Sequence, residues 1–219
     1  MSRCLLIAAG PMQDIPALRR LVRPDDYILC ADGGADNARR LGVRPQRVLG
    51  DLDSVERLPE GVPAERFPPE KDDTDTMLAV KRALVMGYRS FLLLGAWGGR
   101  PDHAYANLCA LLYLAEHGAS GTIADGGVEI HVVKNGSLRL KKREDYYVSV
   151  FPFDGPADGV NETGMKYGLT DACLRTADPL GVSNEFRDEQ AVISVKRGAL
   201  LIMLCPKSCG LPLNSRHLG

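Results

Sequence analysis

The sequence predicts an α/β fold in which an N-terminal catalytic-type domain with a parallel sheet, residues 1–125, precedes a small all-β domain, residues 126–219. Up to about residue 125, short apolar runs alternate with segments of helical periodicity, as in parallel β-α units. Beyond that point, β-branched and aromatic runs are separated by turn signals, which predicts an antiparallel sandwich or barrel. The boundary is expected near residues 123–129.

The first domain contains eight predicted elements in alternating order. They are the strand Cys4–Ala9, the helix Ile15–Val22, the strand Tyr27–Ala31, the helix Ala35–Leu41, the strand Arg47–Leu49, the helix Thr76–Met86, the strand Phe91–Leu94 and the helix Tyr105–His117. In the helix over residues 76–86, Met77, Val80 and Leu84 share one face, which is the spacing that a helix packed on a sheet requires.

Two hairpins are predicted in the second domain. Residues 129–134 and 137–142 flank Asn135-Gly136, a dipeptide suited to the positive φ angles of a tight turn. A strand at Tyr146–Phe151 follows. Near the end, residues 191–195 and 200–204 flank Lys196–Ala199, which predicts the second hairpin.

Composition narrows the class of protein. With 45% hydrophobic and 25% charged residues the chain is typical of a globular protein, and a net charge of -1 gives no electrostatic reason to expect nucleic acid or an anionic membrane as partner. The N-terminal apolar run is too short for a signal peptide and no run approaches a membrane span, so a cytoplasmic location is expected. The six cysteines stand mostly in apolar runs, as buried free thiols do.

Acidic residues and glycines follow the predicted strands, where the ligand crevice of an open α/β sheet lies. Asp32, Gly33 and Gly34 follow the second strand; a turn with a helix-capping Asp is the alternative interpretation. Asp51 and Asp53 follow the third, and an extended segment would turn both carboxylates to one side. One or two carboxylates with phosphate oxygens are a common Mg²⁺ site, although a solvated turn explains many Asp-x-Asp pairs.

Two further segments carry charged groups. Glu70, Asp72, Asp73 and Asp75 open a predicted helix; capping explains one or two of these acids, and a bound cation would explain why all four stand so close. In Gly95–His103, glycines such as Gly99 permit close approach of a phosphate, Arg100 offers several N–H donors, and Asp102 is a further possible metal ligand. For His103, a local hydrogen bond at the helix start is preferred to a proton-shuttle role.

Several common nucleotide and hydrolase motifs do not occur. The sequence has no Gly-x-x-x-x-Gly-Lys-Ser/Thr loop, no Gly-x-Gly-x-x-Gly after the first strand and no Gly-x-Ser-x-Gly. A metal-dependent phosphoryl-transfer site built from scattered aspartates remains.

Six motifs together resemble one family. ADGGADN, LGDLDS, EKDDTDT, GGRPDH, GMKYGL and GVSNEF, in this order from about residue 31 to residue 186, resemble the thiamine pyrophosphokinase (thiamin diphosphokinase) family. The resemblance implies a homodimeric enzyme with an α/β catalytic domain that binds ATP and Mg²⁺ and a β-domain that binds thiamine and forms the dimer. It implies transfer of a pyrophosphoryl group from ATP to the thiamine hydroxyl, with release of AMP.

The same resemblance assigns roles to residues. It implies that Mg²⁺ and the triphosphate are surrounded by Asp51, Asp53, Asp72, Asp75 and Asp102, with Asp32, Gly33, Gly34 and Gly99 beside the nucleotide. Arg100 would steady phosphate. For the mechanism, we expect that a loose transition state requires no strong base and that Asp102 or Asp72 accepts the proton late. In the second domain, Tyr167 would pack on thiamine's rings, and Ser183 and Asn184 would contact thiamine while facing the other subunit's catalytic domain; packing and an ordinary turn are the alternatives. Gly168 departs from the family's frequent Pro.

Two other functions are compatible with the same residues. A metal-dependent phosphohydrolase would suit the aspartates equally well. A non-catalytic nucleotide or thiamine sensor on the same fold is the second alternative, and tight binding without turnover would distinguish it.

Overall fold

A computed structural model describes residues 2–52, 58–67 and 72–209. It contains two compact units, residues 1–132 (the α/β unit) and residues 133–219 (the β unit). The predicted fold class, an α/β domain followed by a small antiparallel β domain, is confirmed. The boundary predicted at residue 125 lies just before the last strand of the α/β unit.

The α/β unit contains seven strands and four helices in the part that is described. The strands are β1 (Cys4–Ile7), β2 (Tyr27–Ala31), β3 (Arg47–Gly50), β4 (Ala64–Arg66), β5 (Ser90–Leu94), β6 (Ser120–Asp125) and β7 (Val128–Lys134), and the helices are α1 (Ile15–Leu21), α2 (Gly34–Leu41), α3 (Asp75–Val85) and α4 (Pro101–Glu116). The eight predicted elements are all present, with ends shifted by up to four residues. β4 and β6 were not predicted.

The sheet of this unit has the order β4-β3-β2-β1-β5-β6-β7, in which β4 to β6 are parallel and β7 is antiparallel to β6. The chain runs outward from β1 through β2 and β3 to β4, and then returns to place β5 on the other side of β1. The carboxyl ends of β1 and β5 therefore form the topological switch point, where open α/β sheets bind their ligands.

The central strands are buried on both faces because helices cover the sheet. β1, β2 and β5 each bury four successive residues, the continuous apolar pattern of parallel strands. One core cluster includes residues from β1, β2, β5 and the helices α1 and α2, among them Leu5, Ile7, Leu18, Cys30, Ala38 and Leu94. This core fixes the strand ends on which the site depends.

Local sequence explains where the helices begin. Thr74 caps α3, since its hydroxyl oxygen accepts a hydrogen bond from Met77 N at 3.2 Å. Helix α4 starts at Pro101, four residues before its predicted start, because proline at the first position costs no hydrogen bond. Gly34 opens α2, where a Cβ would lie 2.0 Å from Ile7 O, so only glycine lets this helix approach β1.

The β unit is built around one long strand. Its strands are β8 (Ser137–Lys141), β9 (Tyr146–Thr163), β10 (Leu169–Leu174), β11 (Gly181–Asn184), β12 (Gln190–Ser194) and β13 (Arg197–Pro206). The first half of β9 pairs with β13 and β11, and its second half pairs with β10 and β12, all antiparallel. A separate apolar core, which includes Val148, Val160, Ile193 and Ile202, holds these strands together.

Both predicted hairpins are wrong. Residues 128–206 are all described, and within them β8 pairs with β12, while β12 has β8 and β9 as neighbours. Asn135 has the positive φ expected of a turn residue, 47°, but its backbone N and side-chain oxygen bond Gly198, at 3.1 and 2.9 Å. The turn chemistry was correct and the choice of strand partner was not, because long-range pairing decided it.

The cysteines differ in their burial. All six cysteines are free, but only Cys4 and Cys30 are buried, whereas Cys173 and Cys209 are exposed. Burial raises the pKa of the Cys4 thiol to about 12. Among the described helices, none has the length and apolar character needed to cross a membrane.

Candidate active site

A cleft of about 490 Å³ opens at the carboxyl ends of β1, β2, β3 and β5 in the α/β unit. Its lining comes from the loop after β1, from Asp32 and Asp51 after β2 and β3, from the start of α3, and from the loop between β5 and α4. The lining residues are Ala8–Pro11, Ala31, Asp32, Asp51, Asp73–Thr76, Gly95, Ala96, Gly98, Arg100, His103 and Asn107. The cleft thus occupies the switch point of the sheet.

Four of the acids singled out in the sequence line this cleft: Asp32, Asp51, Asp73 and Asp75. A Cβ built on Gly50 would lie 2.9 Å from Asp32 Cβ and 3.1 Å from Asp75 Oδ1, so both side chains crowd the end of β3. Asp32 is only 9% exposed, and its backbone N–H donates to Leu49 O at 2.6 Å. Its φ of 47°, a left-handed value that Asp tolerates, turns the chain from β2 into α2.

The extended segment expected after β3 does not continue through Leu52, and the pairing of Asp51 with Asp53 stays a prediction. Leu52 has a left-handed φ of 65° and packs against the core, so the segment is not extended there. Asp51 lines the cleft, and Asp53 lies outside the described residues.

The acidic cluster before α3 divides between the cleft and the surface. Asp72 is exposed and does not line the cleft. Asp73 does line it, and Lys81 Nζ holds its carboxylate at 2.7 Å. Asp75, the first residue of α3, lines it as well, whereas Glu70 lies outside the described residues. Two of the described carboxylates, Asp73 and Asp75, therefore line the cleft, whereas Asp72 does not. The residue that caps α3 is Thr74.

Arg100 lines the cleft, whereas Asp102 points to Arg100. The two side chains pair at 2.6 Å, and Asp102 Oδ1 also accepts from His103 N at 2.9 Å. Arg100 holds the pKa of the Asp102 carboxyl down at about 2. Both side chains are largely exposed, 73% and 64%, so this pair is weak and Arg100 can exchange it for a phosphate.

The glycines predicted to lie beside the nucleotide do not line the cleft, and they allow turns and close backbone packing instead. Gly33 caps α2 and Gly34 packs against Ile7, and neither lines the cleft. Gly99 has a φ of 70° and lies against Pro11, while its neighbour Gly98 lines the cleft. Close approach of a ligand is therefore available at Gly98, one residue from the predicted position.

Two buried amides that sequence reasoning missed hold the cleft loops. Asn37 Nδ2 donates to Ala8 O and to Gly10 O, both at 2.8 Å, and Asn107 Nδ2 donates to Ala96 O at 2.8 Å. Each asparagine stands on the buried face of its helix among apolar residues. A polar residue at such a helical position was the signal that could have identified them.

The loop after β1 was also missed. Gly10 N donates to Gly95 O at 2.9 Å, which continues the β1–β5 contact beyond the strands. A Cβ on Gly10 would lie 2.4 Å from that oxygen, so the two loops meet backbone to backbone. Small residues after a first strand carry no chemistry of their own, and only the sheet order reveals their place at the switch point.

The carboxylates of the cleft fit Mg²⁺ that arrives with a phosphate ligand. Within residues 2–52, 58–67 and 72–209, no three His, Cys, Asp or Glu side chains form a group that could hold a metal ion unaided. Magnesium usually takes one or two carboxylates and completes its shell with phosphate oxygens and water. Asp32, Asp51 and Asp75 offer oxygen donors of this kind.

In the β unit, Tyr167 and Ser183 are exposed, and Asn184 is buried. Tyr167 is 65% exposed, and Lys166 Nζ lies 5.6 Å from its ring centre. Ser183 has a φ of 57°. Asn184 Oδ1 accepts from Tyr167 N at 3.0 Å and from Glu185 N at 2.9 Å. Its Nδ2 donates to Tyr167 O at 2.7 Å and to Glu162 Oε2 at 3.0 Å.

These four bonds use the whole hydrogen-bonding capacity of the Asn184 side chain. The amide therefore has no hydrogen bond left to give to a ligand, and contact between Asn184 and thiamine stays a prediction. Asn184 fixes the backbone of Tyr167 on both sides of its Cα, so it positions the exposed ring.

Comparison with known proteins identifies the family. Residues 18–123 match the model described as "Thiamin pyrophosphokinase, catalytic domain", and residues 130–200 match "Thiamin pyrophosphokinase, vitamin B1 binding domain". The chain belongs to the thiamin pyrophosphokinase family. The family resemblance of the six motifs is thereby confirmed.

Individual thiamin pyrophosphokinases agree over nearly the whole length. The chain is 27% identical over 205 residues to the thiamine pyrophosphokinase of Bacillus subtilis (strain 168), covering 90% of this chain and 96% of that protein. The crystal structure of the Geobacillus thermodenitrificans thiamin pyrophosphokinase has a TM-score of 0.81 and 28% identity, with 95% and 100% coverage. The crystal structure from Bacillus subtilis, at 24% identity, has a TM-score of 0.84 over 94% and 99% of the chains and shows the same fold.

The two thiamin pyrophosphokinase models divide the chain much as its structure does. The catalytic model ends at residue 123 and the vitamin B1 model begins at residue 130, close to the junction of the two units. The cleft residues Asp32, Asp51, Asp75 and Arg100 lie in the part matched by the catalytic model, whereas Ala8–Pro11 precede it. Tyr167, Ser183 and Asn184 lie in the part matched by the vitamin B1 model.

Proposed function

We propose that this chain transfers a pyrophosphoryl group from ATP to the hydroxyl of thiamine, giving thiamine diphosphate and AMP. Family membership supports the reaction. The observation that supports its location is the cleft at the switch point, where four carboxylates and the Arg100 guanidinium line one space of about 490 Å³. Such a set suits a polyphosphate that is bound partly through a cation and partly through a guanidinium.

The cleft residues would bind different parts of the Mg²⁺–triphosphate complex. Asp32, Asp51 and Asp75 would hold Mg²⁺, and Asp53, Asp72 and Asp102 remain proposed ligands from the family resemblance. When bound, the ion neutralises negative charge on phosphate oxygens. Arg100 would leave Asp102 to bind the phosphate, and the backbone at Gly98 permits close approach of the ligand.

Most of the catalysis would come from holding the thiamine hydroxyl in line with the β-phosphorus of ATP. The thiamine hydroxyl oxygen attacks the β-phosphorus of ATP in line. One P–O bond forms, and the bond from the β-phosphorus to the oxygen that bridges to the α-phosphate breaks, so AMP leaves with that electron pair. Asp102 and Asp72 are the two proposed proton acceptors. Arg100 lowers the pKa of the Asp102 carboxyl while the two are paired, so Asp102 becomes a stronger base when Arg100 moves to the phosphate.

Tyr167 and Ser183 would receive thiamine in the β unit. A ring that is 65% exposed can stack on a flat heterocycle and attract the cationic thiazolium. Leu180 and Val182 are also exposed, 63% and 48%, which supports the proposal that this surface is covered in a homodimer.

Mixing two inactive variants tests the homodimer with a shared site. Asp51→Asn removes a cleft carboxylate and Tyr167→Ala removes the acceptor platform. If each site uses both residues from different subunits, reassorted mixtures regain about a quarter of wild-type activity, because half of the dimers are mixed and each has one intact site. Activity that stays at the sum of the two variants contradicts sharing.

The reaction itself is tested with purified protein, ATP, Mg²⁺ and thiamine, together with mixtures that omit one component. We expect equal amounts of AMP and thiamine diphosphate, and neither without metal or thiamine. Asp51→Asn should remove nearly all activity and leave the unfolding midpoint close to that of the wild type. Full activity of that variant would sink the assignment of Asp51.

Two other outcomes would support the rival functions. ATP breakdown that does not depend on thiamine would indicate a metal-dependent phosphohydrolase. Binding of ATP and thiamine without turnover would indicate a sensor.

A further inference from the structure

A second pocket, of about 240 Å³, lies in the β unit beside Tyr167. Its walls are the apolar side chains of Leu169, Leu180 and Val182 and the ring of Tyr167, and Glu162 and Asn184 also line it. Three of these residues, Tyr167, Leu180 and Val182, are large hydrophobics left exposed at the mouth. The pocket is thus apolar at its rim, with one carboxylate inside.

That carboxylate is incompletely bonded. Glu162 is 2% exposed, and its Oε2 accepts from Asn184 Nδ2 at 3.0 Å. Its other oxygen, Oε1, is buried and has no hydrogen-bond partner among the described residues. An unpaired buried acceptor costs about 1–3 kcal/mol, so its presence in a native fold calls for a functional reason.

The chemistry of the pocket selects one kind of group. A carboxylate oxygen accepts hydrogen bonds, and apolar walls beside an aromatic ring suit a flat heterocycle. Thiamine carries an amino group on its pyrimidine ring and a positive charge on its thiazolium. Both features match a buried acceptor of negative charge beneath an exposed tyrosine.

We infer that Glu162 Oε1 accepts a hydrogen bond from the amino group of thiamine's pyrimidine and thereby determines selectivity for the acceptor. The inference rests on the proposed function, since it takes thiamine as the substrate. Asn184 serves it in two ways, because the same Nδ2 holds Glu162 Oε2 and the Tyr167 carbonyl. The choice between a ring with an amino group and a ring with an oxo group then depends on the atom at the Oε1 position of residue 162. An oxygen there accepts from the amino group, and an NH₂ there donates to the oxo group.

The variant Glu162→Gln tests this hydrogen bond, because the orientation of the new glutamine amide can be predicted. Asn184 Nδ2 needs an acceptor, so the glutamine oxygen takes the place of Oε2 and the glutamine NH₂ takes the place of Oε1. The pocket then presents a donor where it presented an acceptor. The matched control is Glu144→Gln, which changes a 78% exposed carboxylate of the same unit that pairs with Lys142.

The measurement is kcat/KM for thiamine and for oxythiamine, whose ring has an oxo group instead of the amine. We expect the wild type and the control to prefer thiamine, and Glu162→Gln to lower that ratio roughly tenfold or more, or to reverse it. An unchanged ratio in Glu162→Gln overturns the inference. A wild type that uses an analogue with hydrogen in place of the amine as well as thiamine also overturns it, without reliance on any variant.

Failure of the proposed function is distinguishable from failure of the inference. If the wild type forms no AMP with thiamine, calorimetric binding of thiamine and oxythiamine to the wild type and to Glu162→Gln still measures selectivity. The same loss of preference in binding supports the pocket, and equal preference contradicts it.

Discussion

Gly50 is the residue on which the arrangement of the cleft depends most closely. Its φ is +148°, and an added Cβ would lie 2.9 Å from Asp32 Cβ and 3.1 Å from Asp75 Oδ1. Gly50→Ala therefore brings two costs: an unfavourable backbone conformation, about 1–3 kcal/mol, and overpacking against the two aspartates, about 1–3 kcal/mol. Either aspartate must move by a few tenths of an ångström, which disturbs the proposed triphosphate site.

Gly87→Ala provides the control. Gly87 lies in the turn between α3 and β5 with a φ of +93°, and its added Cβ would meet no atom within 4 Å. This variant bears the backbone cost alone. We expect it to lose about 1–3 kcal/mol of unfolding free energy and to retain its turnover number.

The assay is urea unfolding together with kcat for thiamine-dependent AMP formation. For Gly50→Ala we expect a larger loss of stability than for the control and a fall in kcat of roughly 10- to 100-fold, because small displacements of positioning groups weigh heavily on rate. If the two variants have the same kcat, Asp32 and Asp75 are not positioned through Gly50 and the reasoning is refuted.

Three further changes have defined outcomes. Asn37→Ala leaves the carbonyls of Ala8 and Gly10 without their buried donor, and should cost about 1–3 kcal/mol in urea unfolding; a loss below about 0.5 kcal/mol would contradict that role. Asn184→Ala frees Tyr167 and should raise KM for thiamine roughly tenfold while KM for ATP stays unchanged, and an equal rise in both would mean general loosening. Burial raises the pKa of Glu162 above its usual 4.5, so the folded state keeps this proton to higher pH than the unfolded chain does. The unfolding midpoint of the wild type should therefore fall relative to Glu162→Gln as pH rises from about 4.5 through the raised pKa, and parallel curves would contradict it.

Much of the α/β unit could be predicted from sequence because its signals are local. β1, β2 and β5 are continuous apolar runs. The cleft acids Asp32 and Asp51 directly follow β2 and β3. β4 and β6 were missed because one is a three-residue edge strand and the other, Ser120–Asp125, begins with Ser-Gly-Thr. Neither segment has the alternation or apolar length that identifies a strand.

The strand pairing of the β unit and the directions of the site side chains depend on contacts between segments that are distant in sequence. The hairpin at Asn135-Gly136 has the right turn residue, yet Gly198 bonds that turn and β12 pairs with β8. In the site, Asp51 lines the cleft although Leu52 breaks the extended conformation that was to place it there. Asn184 was assigned to the ligand, and only its four bonds reveal that it holds Tyr167. A motif identifies such residues, while the direction of each side chain follows from packing.

In the proposed reaction, a pyrophosphoryl group moves as one unit from ATP to thiamine. ATP labelled with radioactive phosphorus at the β position tests it most directly, with the products separated after incubation with Mg²⁺ and thiamine. We expect label in thiamine diphosphate, unlabelled AMP, and no release of label when thiamine is omitted. Label found in ADP, or in free phosphate or pyrophosphate with thiamine unchanged, would contradict it.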